Sequence, residues 1–141
     1  STVDNPAPGG INTSAKVGRY VKPNGIPSWS GTYSPMNISI NFAHGNKIKV
    51  LVYNPDAANI GKQLNMELEW GIAGTGAPAN GVAVLKAPIT TSGAWEELVF
   101  DFSTIAAIPN TARFEQMVLR FNDSANGAGE TIYIDNIRIT N

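Results

Sequence analysis

Apolar and polar residues alternate one by one along much of this chain. No segment sets more large apolar groups on one side than residues 94–103, AWEELVFDFS. Leu98, Phe100 and Phe102 share one side, while Glu97, Val99 and Asp101 share the other. A period of two with one apolar side marks a strand whose inner face enters a core. This segment is expected to be a central strand, opened by Trp95 after the turn Ser92-Gly93-Ala94. The same period runs through residues 36–42, where Met36, Ile38, Ile40 and Phe42 alternate with Asn37, Ser39 and Asn41. In residues 47–53, Ile48, Val50 and Val52 point inward and Lys49, Leu51 and Tyr53 outward. In residues 64–70, Leu64, Met66 and Leu68 point inward and Asn65, Glu67 and Glu69 outward. Residues 114–121 set Met117, Leu119 and Phe121 against Val118, Arg120 and then Asn122, and further strands are expected at 16–22, 82–88 and 131–139.

Between these runs lie turn-forming residues. Pro6, Pro8, Gly9 and Gly10 make residues 1–12 a turn-rich opening. Residues 26–35 read as a loop or broken strand that carries Trp29 and Tyr33 among Pro27, Gly31 and Pro35. Residues 43–46 turn the chain, and 71–81 and 122–130 are loops of small residues. No amphipathic helix of useful length and no repeat interrupts the pattern. About nine short strands, spaced at roughly 8–12 residues, predict an all-β fold: an antiparallel β-sandwich of jelly-roll type. The 141 residues suffice for one domain with its own core, so residues 1–141 are read as a single module.

Composition narrows the partners. Ten Lys and Arg against eleven Asp and Glu leave a net charge of −1, so no basic field holds a phosphate backbone or an anionic membrane. No apolar run is long enough to insert in a membrane. The absence of cysteine rules out disulfides and thiol chemistry. Only 15% of residues are charged, and Asn, Thr, Ser, Gly and Pro make up the difference. Such a neutral polar surface suits neutral hydroxylated ligands, and suits many secreted domains equally well.

Candidate binding residues follow from the outward positions. Tyr53 offers a flat ring, and Glu67, Glu69, Arg120 and Asn122 offer hydrogen bonds; a sugar needs both an apolar platform and polar tips. The plain alternative is a solvated sheet face with cross-strand ion pairs. Trp29 and Tyr33 sit in a loop beside Ser28, Ser30 and Thr32, as stacking platforms or as plugs over the sandwich end. Trp70, at a strand end, shares its parity with Leu68 and is read as either buried or available for stacking. Glu67 and Glu69, about 6.5–7 Å apart along a strand, invite a glycosidase reading, although paired acids on a strand are usually just solvated. His44 has no second ligand near it, and Gly74-Thr75-Gly76 precedes no helix and so forms no phosphate cradle. Asn12, Asn37 and Asn122 stand in glycosylation sequons.

Three pieces stand in order: Asp4-Asn5-Pro6 through Gly10-Ile11-Asn12-Thr13-Ser14 to Val17; Trp95, Leu98 and Phe100-Asp101-Phe102-Ser103; and Ile132-Tyr133-Ile134-Asp135-Asn136-Ile137. With Val52-Tyr53-Asn54-Pro55 and Met66–Glu69, they give a chain that resembles a family of bacterial β-sandwich carbohydrate-binding modules. These are modules of the kind appended to laminarinases and other glycoside hydrolases of glycan-degrading systems. In that family another strand, ending in an aromatic–acid pair, precedes the Asn-Pro segment. The resemblance implies a non-catalytic, monomeric module joined to other domains of a larger secreted or bacterial cell-surface protein. Its expected partner is a polysaccharide or oligosaccharide, first a neutral β-glucan of the laminarin type (β-1,3-glucan). It also implies a structural calcium ion, for which Asp4 and Asp135 supply hard oxygen ligands joining the chain's two ends. The alternative for Asp135 is an ordinary turn or bulge residue. Two other functions stand beside glycan binding: a small glycoside hydrolase using Glu67 and Glu69, and a structural spacer.

Overall fold

The computed structural model describes residues 1–42, 45–69, 83–105 and 113–141, without the side chains of Ile38 and Ser39. His44, Trp70 and the loop expected at 71–81 lie outside the described residues. The described residues form nine strands: β1 (Thr2–Asp4), β2 (Lys16–Lys22), β3 (Thr32–Ile40), β4 (Lys47–Tyr53), β5 (Gln63–Glu69), β6 (Ala83–Pro88), β7 (Trp95–Asp101), β8 (Phe114–Phe121) and β9 (Glu130–Thr140). Short 3-10 turns follow β4 at Ala57–Asn59 and β7 at Phe102–Thr104. Every ladder is antiparallel, in a five-stranded sheet ordered β1-β2-β9-β4-β7 and a four-stranded sheet ordered β3-β8-β5-β6. The predicted all-β antiparallel sandwich is the fold observed.

The alternation does what one-sided burial requires. Ile48, Val50 and Val52 of β4, Leu98 and Phe100 of β7 and Ile132 of β9 form one wall of the core. Leu64, Met66 and Leu68 of β5 with Met117, Leu119 and Phe121 of β8 form the other. These six are cross-strand partners: Leu64 faces Phe121, Met66 faces Leu119 and Leu68 faces Met117. Phe42 closes one end, its ring 5.7 Å from both Phe102 and Phe114.

Two expectations need correction, and one that left two readings is decided. Residues 94–103 do supply the inward Leu98, Phe100 and Phe102, but β7 is an edge strand of the five-stranded sheet rather than its centre. The central place belongs to β9, which pairs with β2 on one side and β4 on the other. The opening segment contains a short strand, β1, because Thr2–Asp4 finds the free edge of β2 (Val3 opposite Val17). Of residues 26–35, read as a loop or broken strand, 32–35 are strand, since β3 begins at Thr32 and pairs with β8 through Pro35, before a bulge that resumes pairing at Ile40. Proline fits there because β3 is an edge strand, where a missing N–H can face away from the ladder.

Candidate functional site

The register assembles the outer face of the four-stranded sheet row by row. Tyr33, Val118, Glu67 and Val84 form one row across β3, β8, β5 and β6. Arg120, Asn65 and Lys86 form the next, and Pro35, Gln116 and Glu69 the one on the other side. At about 4.8 Å between strands the face is about 14 Å wide, with rows some 6.5–7 Å apart. Its floor is largely polar yet buried: Asn65, Glu67 and Gln116, with the apolar Val118 among them, all lie below 9% exposure although their parity turns them away from the core.

Burial of polar groups requires partners, and the face supplies them. Glu67 is ion-paired with Arg120, and Glu69 accepts a hydrogen bond from the Gln116 side-chain amide. The Asn65 amide donates to Asp123 Oδ2 at 2.5 Å, and Lys86 Nζ reaches the same oxygen at 2.7 Å. Burial pushes the Asp123 carboxyl up, but the hydrogen bonds from Lys86 and Asn65 outweigh it and hold the group below the usual carboxylate value. Asn65 Oδ1 is buried and has no hydrogen-bond partner. The result is a floor on which Glu67 and Asp123 are neutralised by Arg120 and Lys86, while Glu69 is held by a neutral amide.

Tyr33 stands at the β3 side of this face at 63% exposure, and the loop leading into β3 carries a second exposed ring, Trp29 at 72%. Trp29 lies in the loop between β2 and β3, which turns through a bond from Ser30 N to the Pro27 carbonyl at 3.0 Å. Arg120 Nε donates to the Trp29 carbonyl at 2.9 Å, so one guanidinium joins the loop to Glu67. Gly31 allows the close approach: a Cβ there would stand 2.6 Å from both Arg120 Cγ and the Leu119 carbonyl oxygen.

Of the residues singled out in the sequence, Tyr33, Glu67, Glu69 and Arg120 come together on this face, and the loop that carries Trp29 is tied to it through Arg120. Tyr53 does not join them. It lies on the outer face of the five-stranded sheet, half-buried between Trp95 and Tyr133, with ring centroids at 5.7 and 5.9 Å. Leu51 and Lys49 share that face, where Lys49 pairs with Glu97 at 2.8 Å, Lys47 with Asp101 at 3.8 Å, and Arg138 with Glu97. The solvated-face alternative therefore describes the five-stranded sheet. Trp95 fastens the opening segment over this face, its Nε1 donating to Asn5 Oδ1 at 3.2 Å and to the Ala7 carbonyl at 3.0 Å.

Asn122 is also placed elsewhere. It is buried just past β8 with φ of +52°, in the left-handed region that Asn tolerates better than most residues. Its amide donates to Glu130 at 2.9 Å, and its side-chain oxygen accepts from Ser124 at 3.0 Å, so it is fully engaged. Lys86, Asp123 and Gln116, which sequence reading passed over, belong to the face instead. Gln116 carried a signal in its parity with Val118 and Arg120; Lys86 and Asp123 are brought in only by the β5–β6 register and the turn after β8.

Asp4 and Asp135 do not meet. Asp4 is exposed and paired with Lys16 at 2.6 Å, with β2 between it and β9. The register gives Asp4 the parity of Gly18 and Tyr20, whereas Asp135 has that of Leu51 on the opposite face. A calcium ion held jointly by these two carboxylates does not fit, although Asp135 Oδ2 is buried and lacks a partner. Among the described residues no group of three His, Asp or Glu side chains is placed to hold a metal ion. No described helix is long and apolar enough to cross a membrane. The chain matches no protein-family model and no curated protein.

Proposed function

We propose that this chain is a carbohydrate-binding module whose ligand lies across the outer face of the four-stranded sheet. One observation carries the reading: two large aromatic rings, Trp29 and Tyr33, stand exposed beside a row of mutually paired polar side chains. Exposing rings of this size to water costs free energy that a sugar's apolar C–H face recovers by stacking. Arg120, Glu69, Lys86 and Asp123 offer donors and acceptors to the hydroxyl rim. Because Arg120 and Lys86 are already paired with Glu67 and Asp123, and Glu69 adds a negative charge, the face favours a neutral glycan over an acidic one. The choice of a laminarin-type β-1,3-glucan, and of a secreted or cell-surface parent protein, rests on the family resemblance alone. Binding is preferred to hydrolysis because both carboxylates are already engaged within the sheet, Glu67 by Arg120 and Glu69 by the Gln116 amide, instead of facing an open cleft.

Affinity electrophoresis through gels containing laminarin, other neutral glucans and an acidic polysaccharide tests the reading. Retardation by a neutral glucan, weakened about tenfold or more by Trp29→Ala with the melting temperature unchanged, is the expected result. Equal mobility in every gel refutes glycan binding, and release of reducing ends from laminarin by the wild type but not Glu67→Gln would replace it with hydrolysis.

A further inference from the structure

A lysine is buried where the sequence gives no reason to expect one. Lys22, the last residue of β2, shares its inward parity with Tyr20 and is 1% exposed. Its ammonium has three N–H donors. All go to backbone carbonyls of the two loops that cross between the sheets: Asn122 at 2.5 Å, Ala125 at 2.7 Å and Ser28 at 3.3 Å. Ser28 precedes Trp29. The ammonium thus sits in a cage of carbonyl oxygens, the kind of environment that a bound cation would otherwise fill, and links the Trp29 loop to the loop after β8.

Other contacts close the same junction. Gly25 N donates to the Gly127 carbonyl and Gly127 N to the Ile26 carbonyl, both at 2.8 Å, and Ser28 N donates to Asn126 Oδ1 at 3.1 Å. The loops are so close that a Cβ on Gly127 would stand 2.0 Å from the Pro23 carbonyl oxygen and 3.1 Å from Lys22 Cγ. The positive φ of Asn122 turns its carbonyl to Lys22 while its amide holds Glu130, so the buried charge is one residue away from a carboxylate.

We infer that Lys22 is a positioning residue for the glycan platform: its ammonium acts as a resident cation that fixes the Trp29 loop in place before ligand arrives. The inference rests on the glycan-binding reading and deepens it. Burying a charge is costly, and a core-facing leucine or methionine would fill the space more cheaply. What the ammonium adds is direction, because three donors order three carbonyls at once. A loop held in its bound conformation loses less entropy when ligand binds.

The test compares wild type, Lys22→Met and Asn126→Ala, each labelled with 5-fluorotryptophan. The Trp29 fluorine resonance, assigned with Trp29→Phe, reads the loop without any ligand; the Trp95 resonance reports the rest of the fold. The expected result for Lys22→Met is a shifted or broadened Trp29 signal, an unchanged Trp95 signal, and glucan affinity lower by roughly tenfold below the melting temperature. Asn126→Ala removes only the acceptor of Ser28 N and is expected to move the same resonance in the same direction, with a smaller loss of affinity; it serves where Lys22→Met fails to fold. Trp29 signals and affinities identical to wild type in the folded variants overturn the inference. Loss of binding in Trp29→Ala with none in Lys22→Met overturns the inference and leaves the glycan reading standing. Binding by no protein, with the Trp29 signal displaced as expected, overturns the glycan reading and leaves the ammonium as the loop's anchor.

Discussion

Replacing Glu130 by glutamine isolates one buried charge where the loops after β2 and β8 meet, and the structure sets its worth.

Glu130 opens β9 at 7% exposure, and its carboxylate accepts from Ala128 N at 2.7 Å, from the Asn122 amide at 2.9 Å and from Lys62 Nζ at 3.2 Å. Burial alone would raise its pKa. The hydrogen bonds from Ala128, Asn122, its own backbone N–H and Lys62 more than reverse this and bring it to about 2, from an ordinary 4.5. A folded pKa below the unfolded one means that the native state favours the charged form. The stabilisation is complete above the unfolded value and is lost as pH falls from about 4.5 towards 2. At 1.36 kcal/mol per pKa unit, the difference amounts to about 3 kcal/mol at neutral pH. Glu130→Gln keeps the shape but cannot carry the charge. Urea unfolding at pH 7 should therefore find the variant weaker by about 3 kcal/mol, a midpoint lower by roughly 1–2 M. Repeated at stepped pH down to 2.5, the gap between the two proteins should narrow steadily below pH 4.5. A gap that stays constant from pH 7 to pH 2.5 would refute the reasoning, because the loss would then come from shape or packing and not from the charge.

Two further outcomes follow from the same contacts. Trp95→Ala should cost about 2–4 kcal/mol, through lost packing on Tyr53 and two lost hydrogen bonds to the opening segment, and should raise amide exchange in residues 5–15 before the rest of the chain. Thermal unfolding checks the first part and hydrogen exchange the second. Calcium added to an EDTA-treated sample should leave the melting temperature unchanged, as the separated Asp4 and Asp135 suggest; a rise of several degrees that Asp135→Asn abolishes would restore the implied ion.

The strands were legible because their signal is local. Met66-Glu67-Leu68 and Leu98-Val99-Phe100 state in consecutive residues which side is apolar, and each lies as read, Leu68 and Phe100 inward and Val99 half exposed. Trp29 and Tyr33 were legible as surface candidates for the same reason, since their neighbours Ser28, Ser30 and Thr32 gave them no apolar company. Alternation, however, assigns parity within one strand and says nothing about which strand lies beside it. Tyr53 and Glu67 have the same outward parity, yet β4 and β5 belong to different sheets, so the two residues face opposite sides of the molecule. The partners of Asn65 are Arg120, Lys86 and Asp123, up to 58 residues away, and only long-range pairing brings them together. Lys22 and Asn122 show the same limit from inside: a lysine and an asparagine read as polar surface until the meeting of two loops supplies the carbonyls and the carboxylate that make their burial affordable. By itself the order of residues determined where strands form and which side of each is apolar, because that follows from a two-residue period. The choice of neighbours, and with it the composition of the outer face of the four-stranded sheet, belonged to the tertiary structure, because sheet order is set by contacts between residues far apart in the chain.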